Sequence, residues 1–178
     1  MGDKSWLVWG LVALALVGLW LLQPRSSRPG EGLFPIVGKL APAFTRSGLN
    51  GGFDTQQARG RPMILAFWTT WCGVCKHDLV LLEEFHRRYG DGVVVASVCP
   101  ERLPEVPKIV AELGLTIPVA FDPGAKVTRQ YQLSESLRYP FTVFVQANGV
   151  VGGVWAVKIE DLTQLFQLLN QSGIALTP

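Results

Sequence analysis

Trp71-Cys72-Gly73-Val74-Cys75 is the stretch of this chain whose residue types and spacing can carry chemistry. Two sulfurs three positions apart lie one turn apart on a helix, close enough to close and open a disulfide. What surrounds them matters more than the spacing. Residues 63–67 before the pair form a continuous apolar run, as in a strand buried on both faces. Residues 73–89 after it carry Leu79, Leu82, Phe85 and Tyr89 at three- and four-residue intervals, the stripe of an amphipathic helix. Cys72 is thus expected where a strand hands over to a helix N-terminus. Free backbone N–H groups and the positive end of the helix dipole favour the ionised sulfur there. Thiolate is the attacking species, and Lys76 adds a positive charge nearby. Cys72 is expected to attack a target disulfide and Cys75 to resolve the mixed disulfide, with the reverse reaction using the same two atoms. Two other uses of the pair are weaker. A static bridge around so short a loop removes little chain entropy. A zinc site needs a second ligand pair, and Cys99, His77 and His86 are the only other soft ligands; no metal site is expected.

The elements that must position this pair follow from periodicity. A second apolar run at 93–98 completes a strand–helix–strand crossover with parallel, right-handed connection. Residues 104–113 and 125–131 read as further helices. Residues 141–145 and 150–154 flank Asn148-Gly149, a strong two-residue hairpin signal. Residues 161–170 place Leu162, Leu165, Phe166 and Leu169 on one side of a last helix, and Asn50-Gly51-Gly52 marks a turn in an N-terminal extension. The fold class is α/β.

The chain has 178 residues, 48% of them apolar, and a net charge of +2. One folded domain plus an appendage fits this length. The apolar and aromatic content excludes a disordered chain, and the near-neutral balance argues against a nucleic-acid partner. Three cysteines in a chain this long exclude a disulfide-stapled scaffold.

The appendage is residues 1–22. Residues 6–22, WLVWGLVALALVGLWLL, carry no charge, and at about 1.5 Å per residue they reach roughly 25 Å, enough for a thin bilayer. Trp6, Trp9 and Trp20 lie near the two ends, as interfacial rings do. A cleaved signal would be followed by a small-x-small site; Leu-Leu-Gln-Pro-Arg follows instead. An uncleaved transmembrane helix is therefore expected over 6–22, a Pro-, Ser-, Gly- and Arg-rich linker over 23–35, and the folded domain over 36–178. Lys4 on one side of the span and Arg25 and Arg28 on the other lean slightly toward a cytoplasmic domain by charge alone.

At Gly38-Lys-Leu-Ala-Pro-Ala-Phe44, Phe67-Trp-Thr-Thr-Trp-Cys-Gly-Val-Cys75 and Tyr139-Pro-Phe-Thr-Val-Phe-Val145, taken in order with the N-terminal apolar span, the chain resembles the thioredoxin superfamily. It is most similar to the membrane-anchored TlpA/ResA-type thiol-disulfide oxidoreductases, from about residue 36 to the C-terminus. The resemblance implies a thioredoxin-like fold, a central mixed β-sheet flanked by helices. It also implies a domain outside the cytoplasm, a chemical indication that outweighs the weak charge count. Pro140 matches the family's cis-proline beside the cysteines, which would turn the Tyr139 backbone toward a substrate strand; a plain trans proline opening a strand is the alternative. Trp71, Gly73, Val74, Tyr139 and Pro140 are the expected substrate-contacting residues. Where classical thioredoxins carry a buried Asp, six residues before the first cysteine, this chain has Ala66. The resemblance instead puts the proton acceptor for Cys75 at Glu101, against the alternative of a solvated loop residue. Cys99 is either a small buried hydrophobe or a third redox thiol.

The implied activity is thiol-disulfide exchange with cysteines of exported proteins. Reduction is the preferred direction, in cytochrome maturation or more generally, with a membrane dithiol carrier as electron donor and no bound cofactor. Two alternatives are a thiol peroxidase and a copper-delivery module. The first shares the Ala-Pro-Ala-Phe pattern but wants a lone Cys after Thr, where Trp71 precedes Cys72 here. The second wants CxxxC and a distant His, and no His lies beyond residue 86.

Overall fold

In the computed structural model, residues 9, 12–14, 28–102 and 104–176 are described. The expected membrane span lies outside them except for residues 9 and 12–14, which are helical. No helix among the described residues is long and apolar enough to cross a membrane.

Three short strands open the domain: β1 (Thr45–Arg46), β2 (Gly48–Leu49) and β3 (Phe53–Asp54). The Met63–Phe67 run forms β4, every residue of it buried. Helix α1 (Gly73–Tyr89) follows, then β5 (Val94–Cys99), helix α2 (Glu105–Glu112), β6 (Val119–Phe121) and helix α3 (Lys126–Gln132). The chain finishes with β7 (Phe141–Val145), β8 (Val151–Trp155) and helix α4 (Leu162–Gln171). Elements expected at 93–98, 104–113, 125–131, 150–154 and 161–170 lie within a residue of these bounds. Asp161 is the N-cap of α4, its Oδ1 accepting the Gln164 N–H at 2.8 Å, so the helix proper starts one residue later.

The six-stranded sheet runs β2-β6-β5-β4-β7-β8. β4, β5 and β6 are parallel, while β2, β7 and β8 run antiparallel to their neighbours, so the sheet is mixed as expected. β1 and β3 form a separate antiparallel pair closed by the 49–52 turn. The β7–β8 hairpin turns at Asn148-Gly149, where Gly149 has φ 84°, the left-handed backbone that glycine adopts without steric cost.

Alternation along β4 splits the interior into two layers. Ile64 and Ala66 face one side with Leu79, Leu82 and Phe85 of α1, Val106 and Ile109 of α2, and Leu165 and Leu168 of α4. Met63, Leu65 and Phe67 face the other with Val127 and Tyr131 of α3, Phe141, Val143 and the N-terminal Ile36, Phe44 and Phe53. Glu83, buried on α1, fixes the connection into β6: its carboxylate accepts the N–H groups of Thr116 (2.7 Å) and Ile117 (3.1 Å) and the Thr116 hydroxyl (2.6 Å). Burial alone would raise this carboxyl; those bonds and Arg87 outweigh it and hold it below the usual carboxylate value.

The folded unit begins before the expected boundary at residue 36. The Pro29 carbonyl accepts the Val154 N–H at 2.8 Å, Phe34 packs edge-on to Phe141 with centroids 5.3 Å apart, and Gly38 and Lys39 bond to Val151. Residues 29–39 thus cover β8, whose outer N–H groups would otherwise lie open at the sheet edge. The described part of the expected linker, 28–35, belongs to the domain for that reason.

Candidate functional site

The parallel strands β4, β5 and β6 end on the same side of the sheet, and the chemistry-bearing residues gather there. Cys72 closes the loop from β4 and caps α1: its backbone is extended (φ −84°, ψ 95°), and its Sγ accepts the Cys75 N–H at 3.2 Å. The helix starts here because the loop has no further apolar strand pattern and the sulfur takes one of the free first-turn donors. Cys72 and Cys75 form a disulfide with Cα atoms 5.3 Å apart. Cys72 is 7% exposed and Cys75 2%, so the outer sulfur is Cys72. Around it the surface is apolar: Trp71 is 70% exposed, and Gly73 and Val74 are exposed too.

The Tyr139–Pro140 bond is cis, as the resemblance implies. The Phe67↔Phe141 pairing carries this bond to the level of Trp68 and Thr69, on the way to Cys72. The Tyr139 ring meets the Trp71 ring edge-to-face, with centroids 6.0 Å apart, so the two expected substrate-contacting aromatics form one surface. The Tyr139 hydroxyl is buried and has no hydrogen-bond partner. Burial raises its pKa, and the nearby charges of Asp122, Cys99 and Glu101 act in the same direction.

Glu101 follows β5. Its Oε2 accepts the Thr70 N–H at 2.6 Å, and the Cys99 thiol lies 3.9 Å from the same oxygen. The structure therefore places Glu101 against the loop that carries Trp71 and Cys72. Cys99 is fully buried, and burial pushes its thiol up to about 12. Trp68 is buried as well, its indole N–H 3.3 Å from Ser97 Oγ. Ala66 lies in the same layer as both cysteines and supplies no polar atom.

The acid that sequence reasoning missed is Asp78, one turn beyond Cys75 on α1. It sits on the buried face with Leu79 and Leu82. Oδ1 accepts the Ile159 N–H at 3.1 Å and lies 3.4 Å from His77 Nδ1, while Oδ2 is buried without a partner. Burial raises the Asp78 carboxyl above its ordinary value, against the lowering effects of Ile159, His77 and Lys158. The signal was present in the sequence: an Asp on an apolar stripe is seldom buried without a reason. Among the described residues no group of three or more His, Cys, Asp or Glu is placed to hold a metal ion.

A model of the AhpC/TSA family matches residues 37–154. The chain belongs to this family. Among curated relatives, it is 28% identical over 155 residues to the thioredoxin-like protein YneN of Bacillus subtilis, covering 83% of this chain and 87% of that one. It is 31% identical over 124 residues to the thiol-disulfide oxidoreductase ResA of Bacillus cereus, covering 68% and 70%. Other ResA proteins are matched over 57% or 58% of their length. Among solved structures, a thiol:disulfide interchange protein DsbE from Chlorobium tepidum superposes with TM-score 0.67 at 24% identity, over 76% of this chain and 96% of that one. The fold is thioredoxin-like. With the disulfide at the start of α1 and the ResA relatives, the protein is a thiol-disulfide oxidoreductase.

Proposed function

We propose that this oxidoreductase is tethered to the cell membrane by residues 6–22 and exchanges its dithiol with cysteines of proteins outside the cytoplasm, acting as their reductant. Those substrates are exported cysteine proteins, apocytochromes among them, and a membrane dithiol carrier returns the electrons. The observation that carries the reading is the Cys72–Cys75 pair at the N-terminus of α1, its outer sulfur rimmed by exposed Trp71 and Val74.

In the reducing direction the Cys72 thiolate attacks one sulfur of a substrate disulfide. A Cys72–substrate bond forms, the substrate S–S bond breaks, and one substrate thiolate leaves. Cys75 then loses its proton and attacks Cys72 Sγ, which releases the second substrate sulfur and leaves the 72–75 disulfide. Asp78 takes the Cys75 proton on its unpartnered Oδ2: it lies one turn away on the same helix face and is buried. Glu101, bonded to Thr70, holds the loop that carries Cys72. The backbone of Tyr139, turned by the cis bond to Pro140, and the Trp71 ring receive the substrate strand.

A Cys75→Ser substitution in the full-length chain tests the reading. Without the resolving sulfur, substrates stay on Cys72 as mixed disulfides. Exported cysteine proteins recovered from Cys75→Ser, and absent with Cys72→Ser/Cys75→Ser, are the expected result. Recovery of cytoplasmic proteins alone refutes the compartment, and no thiol-dependent adduct refutes the exchange.

A further inference from the structure

Asp78 is enclosed except on one side. Its Oδ2 has no partner, and its Oδ1 faces the Ile159 N–H and the ring of His77. A carboxyl that accepts a proton from Cys75 in such a place must also exchange it with water once per turnover. Desolvation makes a direct path to bulk water slow, and the one titratable side chain touching the carboxylate is His77. Its Nδ1 lies 3.4 Å from Oδ1, and 45% of its side chain is exposed against 3% for Asp78. One end of the contact is therefore in the protein layer that holds both cysteines, and the other is in water.

We infer that His77 is a proton relay for the resolving sulfur, passing protons between Asp78 and solvent. The inference rests on Asp78 as the acceptor for Cys75. When Cys75 ionises, its proton goes to Asp78 Oδ2. Neutral His77 then takes a proton from the carboxyl at Nδ1, restoring the carboxylate, and releases one to water from its exposed ring. In the opposite direction, imidazolium Nδ1–H delivers a proton to Oδ1 while the proton on Oδ2 moves to the Cys75 thiolate. No electrons move in either step, and one proton crosses per cycle. Imidazole suits the task because it is the side chain that changes charge around neutral pH. The other charged group bearing on Asp78 is Lys158, from the segment between β8 and α4. Its ammonium is paired with Glu160 at 2.5 Å. Lysine holds its proton at neutral pH and is no carrier there. The remaining neighbour from that segment is the Ile159 amide, which donates but does not exchange protons on this timescale.

The test uses the reduced full-length chain mixed with excess 5,5′-dithiobis(2-nitrobenzoate). Cys72 attack releases one thionitrobenzoate; Cys75 attack on the Cys72 adduct releases the second in an intramolecular step independent of reagent concentration. The rate of that second phase is followed against pH for wild type, His77→Ala, His77→Gln and Asp78→Asn. General acid–base groups contribute about 100-fold or more, so losing only the relay is expected to slow the second phase on the order of tenfold near neutral pH. Added imidazole should restore His77→Ala in proportion to its concentration, while His77→Gln, which keeps a hydrogen bond but carries no proton, stays slow. A second phase in His77→Ala equal to wild type, with Asp78→Asn slow, overturns the relay and leaves Asp78 in place. A slow His77→Ala that imidazole does not restore also overturns it, since the residue is then only packing. Wild-type rates in Asp78→Asn remove the acceptor itself.

Discussion

Glu101 separates two kinds of carboxylate, and substituting it two ways tells them apart. In the oxidised protein its Oε2 accepts the Thr70 N–H at 2.6 Å, and that bond anchors the loop between β4 and Cys72. Glu101→Ala leaves the Thr70 N–H without its acceptor. A hydrogen bond to a charged group contributes about 1.5–3 kcal/mol, and a partly exposed site takes the lower end, about 1.5–2 kcal/mol. For a domain of this size that lowers Tm by about 4–8 °C. The loop also loses its tie, and small displacements of a reacting atom cost up to about 100-fold in rate, so a fall of about tenfold in exchange is expected. Glu101→Gln keeps an oxygen in place and loses only the charge assistance. It should melt within about 3 °C of wild type and exchange within about twofold, since a neutral bond retains about half the strength of a charged one. Differential scanning calorimetry gives the first quantity and insulin-disulfide reduction the second. A proton acceptor behaves differently: glutamine cannot take a proton, so Glu101→Gln would be as slow as Glu101→Ala. That result, or a Glu101→Ala protein that melts with wild type, refutes the positioning role.

Two further outcomes follow from burial. In the folded, reduced protein at about pH 8, iodoacetamide should leave Cys99 unmodified, because its thiol is buried and pushed up to about 12, while Cys72 is alkylated first; mass mapping showing Cys99 labelled before unfolding would contradict this. Asp78 should make stability fall with rising pH. Its folded value is raised, so its contribution is complete below the ordinary aspartate range, near about pH 4, and is lost as pH climbs through the raised value. Asp78→Asn keeps the acceptor for Ile159 and removes that loss. Urea midpoints should show it gaining on wild type between about pH 4 and 7, and a constant difference would show that Asp78 is not buried in its charged form.

Much of the scaffold was legible because its signals are local. The bounds of β4, α1 and β7 read directly from an apolar run, a three- and four-residue stripe and a run before Asn148-Gly149. β1, β2 and β3 have two residues each and β6 three, too few to show a period, and they exist only because neighbouring strands pair with them. The start of the domain was hidden for the same reason: nothing local in residues 29–34 announces an edge to be covered. At the site, the cysteines and Pro140 stand in recognisable order. Asp78 does not, because a carboxylate on an apolar stripe acquires meaning only once the segment carrying Lys158 and Ile159 folds over it.

The replacement of the strand acid explains why that segment matters. Ala66 faces the layer of Cys72 and Cys75 and offers no proton acceptor, so any acid for Cys75 must come from another element of the layer. Glu101 is already committed: an oxygen bonded to a backbone N–H favours the ionised form and gains less by taking a proton. Asp78 is the reverse case, desolvated and with one oxygen unbonded, so a proton relieves its burial. Moving the acid from β4 to α1 also changes who its neighbours are. On the strand it would lie under the sheet with no route out; on the helix it adjoins His77 and the surface. The position of the acid, rather than its identity, thus decides whether proton release from the resolving cysteine is gated by an imidazole.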